Sequence, residues 1–482
     1  MGRHNKKKSL KQLSIDDRLT LQCMLDEILE KCTKLPSGIP KEEWRDFLEL
    51  SSLLAKVREI EKDMTPDLPE RADKWDAFME WCIKNGADIK HVMIKDLGNG
   101  EYGMTAKQAI EEGDEFLHLP RKLMMSTAAA YSSRLGQLLQ EDPVLKSMPN
   151  ITLALFLILE LFEGEASFWN PYISILPSTF NTVLYFSTGD LELLRGSVVL
   201  DDALKLHRSI LRQYAYFHRI LRTHPLAKSI PYKDCFTYDL YRWAVSAVMT
   251  RQNAIPAPGG RAGSSSVLAL VPLWDMCNHS GGKLCTDYDP EKNELLCLAM
   301  RDFQPGDEVT IFYGKRTNSE FLIHNGFVYP DNQHDAVDIK LGISKSDPLY
   351  SLKSELCGKH DLAQSGVFSL RSGSRPITED LSTFLRIIVL KEEPNGGEIN
   401  TENIQSASDE NAQAALAFLL ARIELLLRAF PLSEQDYQSI LTSSNSTPGS
   451  RNAALYRLEE RKILLSAQQI LSPSATSGAC AS

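Results

Sequence analysis

The hydrophobic period of this chain changes several times, and the order of those changes limits the fold more than any single motif does. Apolar spacing is helical over residues 1–70, where Ser14, Asp16 and Asp17 precede Leu19, Leu21, Met24, Leu25, Ile28 and Leu29. A capping residue, early acids and i, i+3, i+4 spacing mark the start of a helix. Similar stretches follow at 42–60 and 76–85. From His91 the apolar runs become short and are bounded by Gly and Pro, so 92–94 and 115–119 read as strands. Helical spacing returns at 151–162, 203–223 and 238–250. Strands resume at 267–271, 294–300 and 308–312, with Pro305-Gly306-Asp307 as the turn between the last two. Helical signals at 381–390, 414–430 and 454–469 close the chain, and the Ser-rich end reads as a disordered tail. Two strand groups split by a helical block predict an α+β fold, whereas a doubly wound sheet would alternate strand and helix throughout.

Composition narrows the classes of function. The chain has 53 Lys and Arg against 63 Asp and Glu, a formal charge of −10. A chain so acidic is not built to coat nucleic acid by bulk charge. The longest apolar run, 151–162, carries Glu160 and is shorter than the roughly 18 residues of a membrane span. No apolar stretch follows the basic Met-Gly-Arg-His-Asn-Lys-Lys-Lys start, so a secretory signal is not expected. The nine cysteines include no C-x-x-C step, which predicts reduced, mostly buried thiols in an intracellular protein. The cytoplasm is the expected compartment; Lys6, Lys7 and Lys8 leave the nucleus as a second one.

Three motifs stand out. Gly98-Asn-Gly-Glu-Tyr-Gly103 fits the glycine pattern of nucleotide sites, but Glu112-Gly113 interrupts any crossover helix and a strand follows. It reads as a tight hairpin that brings backbone close to a ligand. Trp274-Asp-Met-Cys-Asn-His279 leaves the end of an apolar strand, a common place for a cleft. No further ligands stand at metal-site spacing, so no metal is expected. Glu308-Val-Thr-Ile-Phe-Tyr-Gly314 ends an extended run in Tyr-Gly about 35 residues later. There is no G-x-S-x-G elbow, no Walker lysine loop and no H-R-D or D-F-G, so hydrolase, phosphate-transfer and kinase chemistry have no support.

Together the Gly98–Gly103 hairpin, Asn278-His279 and Phe312-Tyr313-Gly314 resemble a SET-domain methyltransferase. The helical insertion and helical C-terminal region are similar to the subgroup of the Rubisco large-subunit methyltransferase. Within it, Arg212-Gln-Tyr-Ala-Tyr-Phe217, the run from Tyr241 to Asn253, Pro272-Leu-Trp-Asp-Met-Cys-Asn-His279 and Ile311-Phe-Tyr-Gly-Lys-Arg316 resemble the branch that methylates a histidine of actin. The likeness spans about residues 40–390 and, more loosely, reaches 470. It implies short twisted strands with a helical insertion (about 130–245) in a SET domain over 75–326. A helical region, 1–74, precedes it, and a mostly helical substrate-binding domain with a disordered tail, 327–482, follows.

The resemblance implies S-adenosyl-L-methionine as methyl donor, no metal, actin as protein substrate, no membrane or nucleic-acid partner, and a monomer. Tyr313 matches the family's channel tyrosine. Asn278 and His279 match the donor-binding pair, with Asp275, Met276 and Cys277 in the same segment. Gly100, Glu101 and Tyr102 match the hairpin, and Arg251 and Arg71 match donor-contacting arginines. Asn325 stands where a relative has serine, and either side chain can hydrogen-bond. Arg316 and Arg212 are candidate peptide contacts.

The nucleophile follows from acid–base chemistry set beside that likeness. A lysine amine, with a reference pKa of about 10.4, must lose a proton before it attacks; imidazole, near 6.5, offers a neutral nitrogen at once. Imidazole needs its other nitrogen held. Asn253 suits that task, with Trp274 as a pocket wall, and the histidine-specific branch has Asn and Trp there. The branch implies transfer to the distal (tele) nitrogen. Lysine methylation of a non-histone protein and a catalytically silent binding module for actin or chromatin are the alternatives.

Overall fold

A computed structural model describes residues 13–89, 91–98, 100–259, 265–391 and 409–472. Lys6 to Lys8, the centre of the Gly- and Ser-rich loop at 260–264 and the tail beyond 472 lie outside the described residues. The chain divides into two compact units: residues up to Phe180 with Leu204–Gly314, and Asn181–Ala203 with Lys315 onward. Residues 315–326, expected to close the SET domain, therefore cluster with the second unit.

Eight short strands build the first unit. They are β1 (Val92–Gly98), β2 (Glu101–Ala106), β3 (Glu115–Pro120), β4 (Met125–Ser126), β5 (Gln252–Pro256), β6 (Ser266–Leu270), β7 (Thr286–Asp289) and β8 (Glu294–Leu298). They form three small antiparallel sheets, β1-β2, β3-β8-β7 and β4-β6-β5. β1 and β2 are joined by the glycine hairpin, where Gly98 and Gly100 take φ of +107° and +76°, values that an L side chain rarely adopts.

The expected strand at 308–312 is not one. It is an extended segment with single bridges to two different neighbours, Glu308 to Thr105 and Ile311 to His279. Val309 N donates to the Met104 carbonyl at 2.7 Å, and Ile311 N to the Asn278 carbonyl at 2.9 Å. The alternating sequence gives the extended backbone, but splitting its hydrogen bonds between two partners prevents a ladder with either.

Two helices carry the core of this unit. Pro149–Glu163 starts on a proline, ends at Gly164 with φ +56°, and buries every residue from Ile151 to Leu159. Each such Leu, Ile or Phe contributes about 1.5–3 kcal/mol relative to exposure. It packs against Tyr238–Arg251, which is capped by Thr237 accepting from Leu240 N at 3.3 Å. Trp243 on that helix is fully buried and donates its indole N–H to the Pro177 carbonyl at 2.8 Å.

The N-terminal helices Ile15–Thr33 and Pro40–Glu61 dock on the insertion helices. Arg208 Nη2 donates to the carbonyls of Lys31 and Lys34, at 2.8 and 2.6 Å, and so satisfies the end of the first helix. Glu61 is buried, accepting from the Tyr214 hydroxyl and, at 2.9 Å, from Tyr238 N at the start of a helix.

The second unit adds what a helical reading omits, an antiparallel pair of β9 (Ala336–Gly342) and β10 (Ser365–Arg371). Helices Glu379–Ile388, Asp409–Arg428 and Pro448–Leu471 pack around it through Leu381, Phe384, Leu419, Ile423 and Leu464. A further helix, Glu434–Thr442, opens with a capping box at Ser433 and Asp436.

Burial holds the Glu61 carboxyl up at about 8, against the opposing bonds from Tyr214 and Tyr238. The folded state thus keeps a proton that the unfolded chain releases above the ordinary glutamate range of about 4.3. This group stabilises fully at low pH, and that contribution is lost as pH climbs towards 8. Thermal melts between pH 5 and 8 are expected to show a flatter pH dependence for Glu61→Gln than for wild type; equal slopes would refute the assignment.

Candidate functional site

The site forms because a helix runs straight into an edge strand. Arg251 is the last residue of Tyr238–Arg251; Gln252 turns the backbone extended and starts β5. β5 pairs antiparallel with β6, Gln252 opposite Leu270 and Asn253 opposite Ala269. The chain leaving β6 therefore returns beside Arg251. There Leu273, fully buried, is driven to φ +68°, and Trp274 N bonds the Pro272 carbonyl at 2.9 Å. Such a three-residue turn on a side chain with positive φ is strained. It throws Trp274–Met276 into one 3₁₀ turn and aims Asp275 inward.

Arg251 Nη1 donates to the Asp275 backbone carbonyl at 2.8 Å and lies 3.3 Å from Asp275 Oδ2. Both side chains are almost wholly buried. Tyr172 donates its hydroxyl to the same Oδ2 at 2.5 Å. Burial raises the Asp275 carboxyl above the usual carboxylate range, against the pull of Arg251 and Tyr172. Arg251 Nε and Asp275 Oδ1 remain buried with no hydrogen-bond partner in the structure. Met276 is buried beside the guanidinium, its sulfur 3.9 Å from Nη1.

The next residues tie three segments into one cluster. Asn278 Nδ2 donates to Glu308 Oε1 at 2.7 Å and to the Tyr102 carbonyl at 3.4 Å. His279 Nδ1 accepts from Tyr313 N at 3.2 Å, and its ring lies 5.2 Å from the Tyr313 ring. The Tyr313 hydroxyl donates to the Cys277 carbonyl at 2.8 Å. Cys277 itself is fully buried, and burial pushes its thiol far up. The eight described cysteines are all free thiols.

Most of the residues singled out in the sequence converge here. Tyr102 packs against Trp75, ring centres 4.4 Å apart and planes tilted by 36°, and carries the Arg71 guanidinium 5.0 Å over its ring. Burial lowers the Arg71 basicity, and the charge of Arg251 adds to that. Two guanidinium groups thus share one field, with a single buried carboxylate to balance them. Gly100 and Glu101 sit at the exposed hairpin tip. Asn253 donates Nδ2 to the Arg251 carbonyl at 3.2 Å, and Trp274 donates Nε1 to Thr286 Oγ1 at 3.0 Å.

One does not join this cluster, and two belong to the other unit. Arg212 is exposed on the insertion helix Val198–Thr223, beside Cys32 of the first helix. Arg316 and Asn325 belong to the second unit, where Arg316 Nη1 donates to Asn325 Oδ1 at 3.0 Å. Tyr172, Glu308 and Thr286 bear on the site, and the sequence reading gave them no site role. Tyr172 stands 103 residues before its partner, and no local spacing signals it.

The cluster fits S-adenosylmethionine. The Arg251 guanidinium keeps one N–H unpartnered beside its single contact with Asp275, which suits a carboxylate, and the unpartnered Asp275 oxygen suits an ammonium. Gly103 also matters. A Cβ there would lie 3.1 Å from Asn278 Nδ2, 2.8 Å from Glu308 Oε1 and 2.7 Å from Leu97 Cδ1.

Comparison with known proteins bears on the same residues. The SET domain model matches residues 101–314, and the Rubisco LSMT substrate-binding model matches 344–464. An actin-histidine N-methyltransferase of Gallus gallus is 39% identical over 453 residues, covering 92% of this chain and 76% of the relative. One of Rhinolophus ferrumequinum is 37% identical over 481 residues, 96% of this chain and 80% of the relative. Among solved structures, Rubisco LSMT bound to AdoMet superposes with a TM-score of 0.67 at 21% identity, over 85% of this chain and 98% of the other. The SET domain of LSMT bound to lysine and AdoHcy gives 0.68, also at 21%, over 83% and 91%. At that identity the likeness speaks to the fold.

Gly103→Ala should fold normally, because Gly103 has an ordinary φ and its new Cβ meets only side-chain ends. It displaces the Asn278 amide, so calorimetry is expected to show S-adenosylhomocysteine binding weakened roughly tenfold, about one hydrogen bond to a charged group. Unchanged affinity would remove Asn278 from the binding surface.

Proposed function

The chain belongs to the SET-domain family of actin-histidine N-methyltransferases, and from that premise we propose that it transfers a methyl group from S-adenosylmethionine to the distal nitrogen of a histidine side chain of actin. The observation that carries the reading is that three bonded groups meet along residues 275–279: Arg251 with Asp275, Asn278 with Glu308 and the Tyr102 carbonyl, and Tyr313 with His279 and the Cys277 carbonyl, with Asn253 two residues from Arg251.

When bound, S-adenosylmethionine supplies a methyl group already activated on a sulfonium. The protein's part is therefore to align and to handle charge. Arg251 and Arg71 hold the donor's carboxylate, and Asn278 and the 102–103 backbone hold its polar groups. The Tyr313 hydroxyl donates a hydrogen bond to the Cys277 carbonyl, which leaves the hydroxyl oxygen as an acceptor beside the transfer path. His279 fixes the Tyr313 backbone by accepting its N–H.

Asn253 decides the nucleophile. One N–H of its Nδ2 is bonded to the Arg251 carbonyl; in the role inferred here Oδ1 is the group turned to the ligand, as an acceptor. An acceptor selects the imidazole tautomer that carries its proton on the nearer nitrogen, and the distal nitrogen then has the lone pair. Trp274, anchored through Thr286, forms a wall for the flat ring. The second unit, which carries the Rubisco LSMT substrate-binding match, holds the protein substrate. The cytoplasm, where monomeric actin is supplied, is the site of action.

The test is methyl transfer to monomeric actin, with the modified residue located by mass spectrometry. Wild type is expected to methylate one histidine. Tyr313→Phe and Asn253→Ala are expected to lose roughly a hundred- to a thousandfold in rate, the scale for removing a polar group aimed at a transition state. Asn253→Phe is expected to shift preference towards lysine in paired peptides. Methylation of lysine by wild type would overturn the reading of Asn253, and no transfer despite donor binding would overturn actin as substrate.

A further inference from the structure

Tyr172 lies in the short helix Asn170–Ile173, fully buried, with its ring 6.2 Å from Phe78. A tyrosine so placed must find a partner for its hydroxyl. It finds Asp275 Oδ2, the same oxygen that faces Arg251 Nη1. The other carboxylate oxygen and Arg251 Nε stay without partners.

This arrangement is unusual for such a pair. Arginine and carboxylate prefer two parallel bonds, fork to fork. Here the contact is made at one point, and the second carboxylate oxygen is turned away. The hydroxyl of Tyr172 accounts for that, because a carboxylate held on one oxygen by two donors cannot swing its other oxygen onto the guanidinium. Were it to swing, the guanidinium would spend its N–H groups on Asp275.

We propose that Tyr172 is a positioning residue that holds Asp275 in one-point contact with Arg251, so that Arg251 keeps its remaining N–H groups for the amino-acid carboxylate of the methyl donor. This rests on the donor assignment made above. Tyr172 touches neither donor nor substrate; it acts through Asp275.

The two halves of the donor allow a selective test. S-Adenosylhomocysteine carries the amino-acid group, and 5′-methylthioadenosine is the same thioether nucleoside without it. Full-length wild type and Tyr172→Phe are titrated with each by calorimetry. Tyr172→Phe is expected to weaken S-adenosylhomocysteine roughly tenfold, about the loss of one charge-assisted bond, and to leave methylthioadenosine within about twofold. In an Arg251→Lys background the same substitution should change S-adenosylhomocysteine binding by less than about twofold, since the group it positions is gone.

Equal loss for both ligands, or loss of the folding transition, would make Tyr172 merely structural and overturn the proposal. No loss for either, or a full loss persisting in the Arg251→Lys background, would overturn it too. Failure of wild type to bind S-adenosylhomocysteine at all would instead overturn the donor assignment, and this inference with it.

Discussion

The buried pair of Arg251 and Asp275 is the constraint around which the first unit is arranged. Taking two charges out of water costs several kcal/mol per ion, and removing one partner costs about 3–5 kcal/mol because the other is stranded. The chain meets that cost with backbone. The Asp275 carbonyl takes one Arg251 N–H, and the Tyr172 hydroxyl supports the carboxylate. Three sequence-distant pieces are brought to one point in this way: a helix end that continues into an edge strand, a strained turn and a short helix. The arrangement still leaves one N–H and one carboxylate oxygen without partners.

The second structural decision is the path of residues 308–314. A ladder with one neighbour would have been the simpler use of an alternating sequence. Instead Val309 bonds β2 and Ile311 bonds the segment after Cys277. Each single bond adds little net stability, about 0.5–1.5 kcal/mol. Together they fix the position of Tyr313 from both sides, and His279 holds its backbone N–H. The segment's value lies in geometry, since a hydroxyl meant to shape a transfer path has to be held within a fraction of an ångström.

Legibility followed range. The helices at 15–33, 149–163 and 238–251 were readable because caps, prolines and apolar spacing act within a turn or two. β1, β3, β6 and β8 were readable from short apolar runs, whereas β9 and β10 were obscured by the helical signals around them. The 308–312 strand failed because a ladder depends on who the partner is, which alternation does not encode. Asn278, His279 and Tyr313 stood out through likeness to a family; their own residue types would have suited a packed core as well. Tyr172 is linked to the site by tertiary approach alone, across 103 residues, so no motif could mark it; Glu308 opens a motif that was read, but its bond to Asn278, 30 residues away, has no local signal.

The acid–base character of the cluster narrows the nucleophile beyond what likeness says. Three groups of the cluster are not free to remove a proton. Asp275 is committed to Arg251 and Tyr172, burial keeps the Cys277 thiol protonated, and His279 Nδ1 is bonded to the Tyr313 backbone. Asn253 is neutral at every pH. A substrate amine with pKa near 10.4 would have to shed its proton before entering, a cost of more than 4 kcal/mol at neutral pH, at about 1.4 kcal/mol per unit. A neutral imidazole pays none of it. An amide acceptor at the pocket base, where a lysine site would place a plain wall, is then the one polar group the reaction needs from the protein beyond the donor site: it orients a nucleophile that arrives ready.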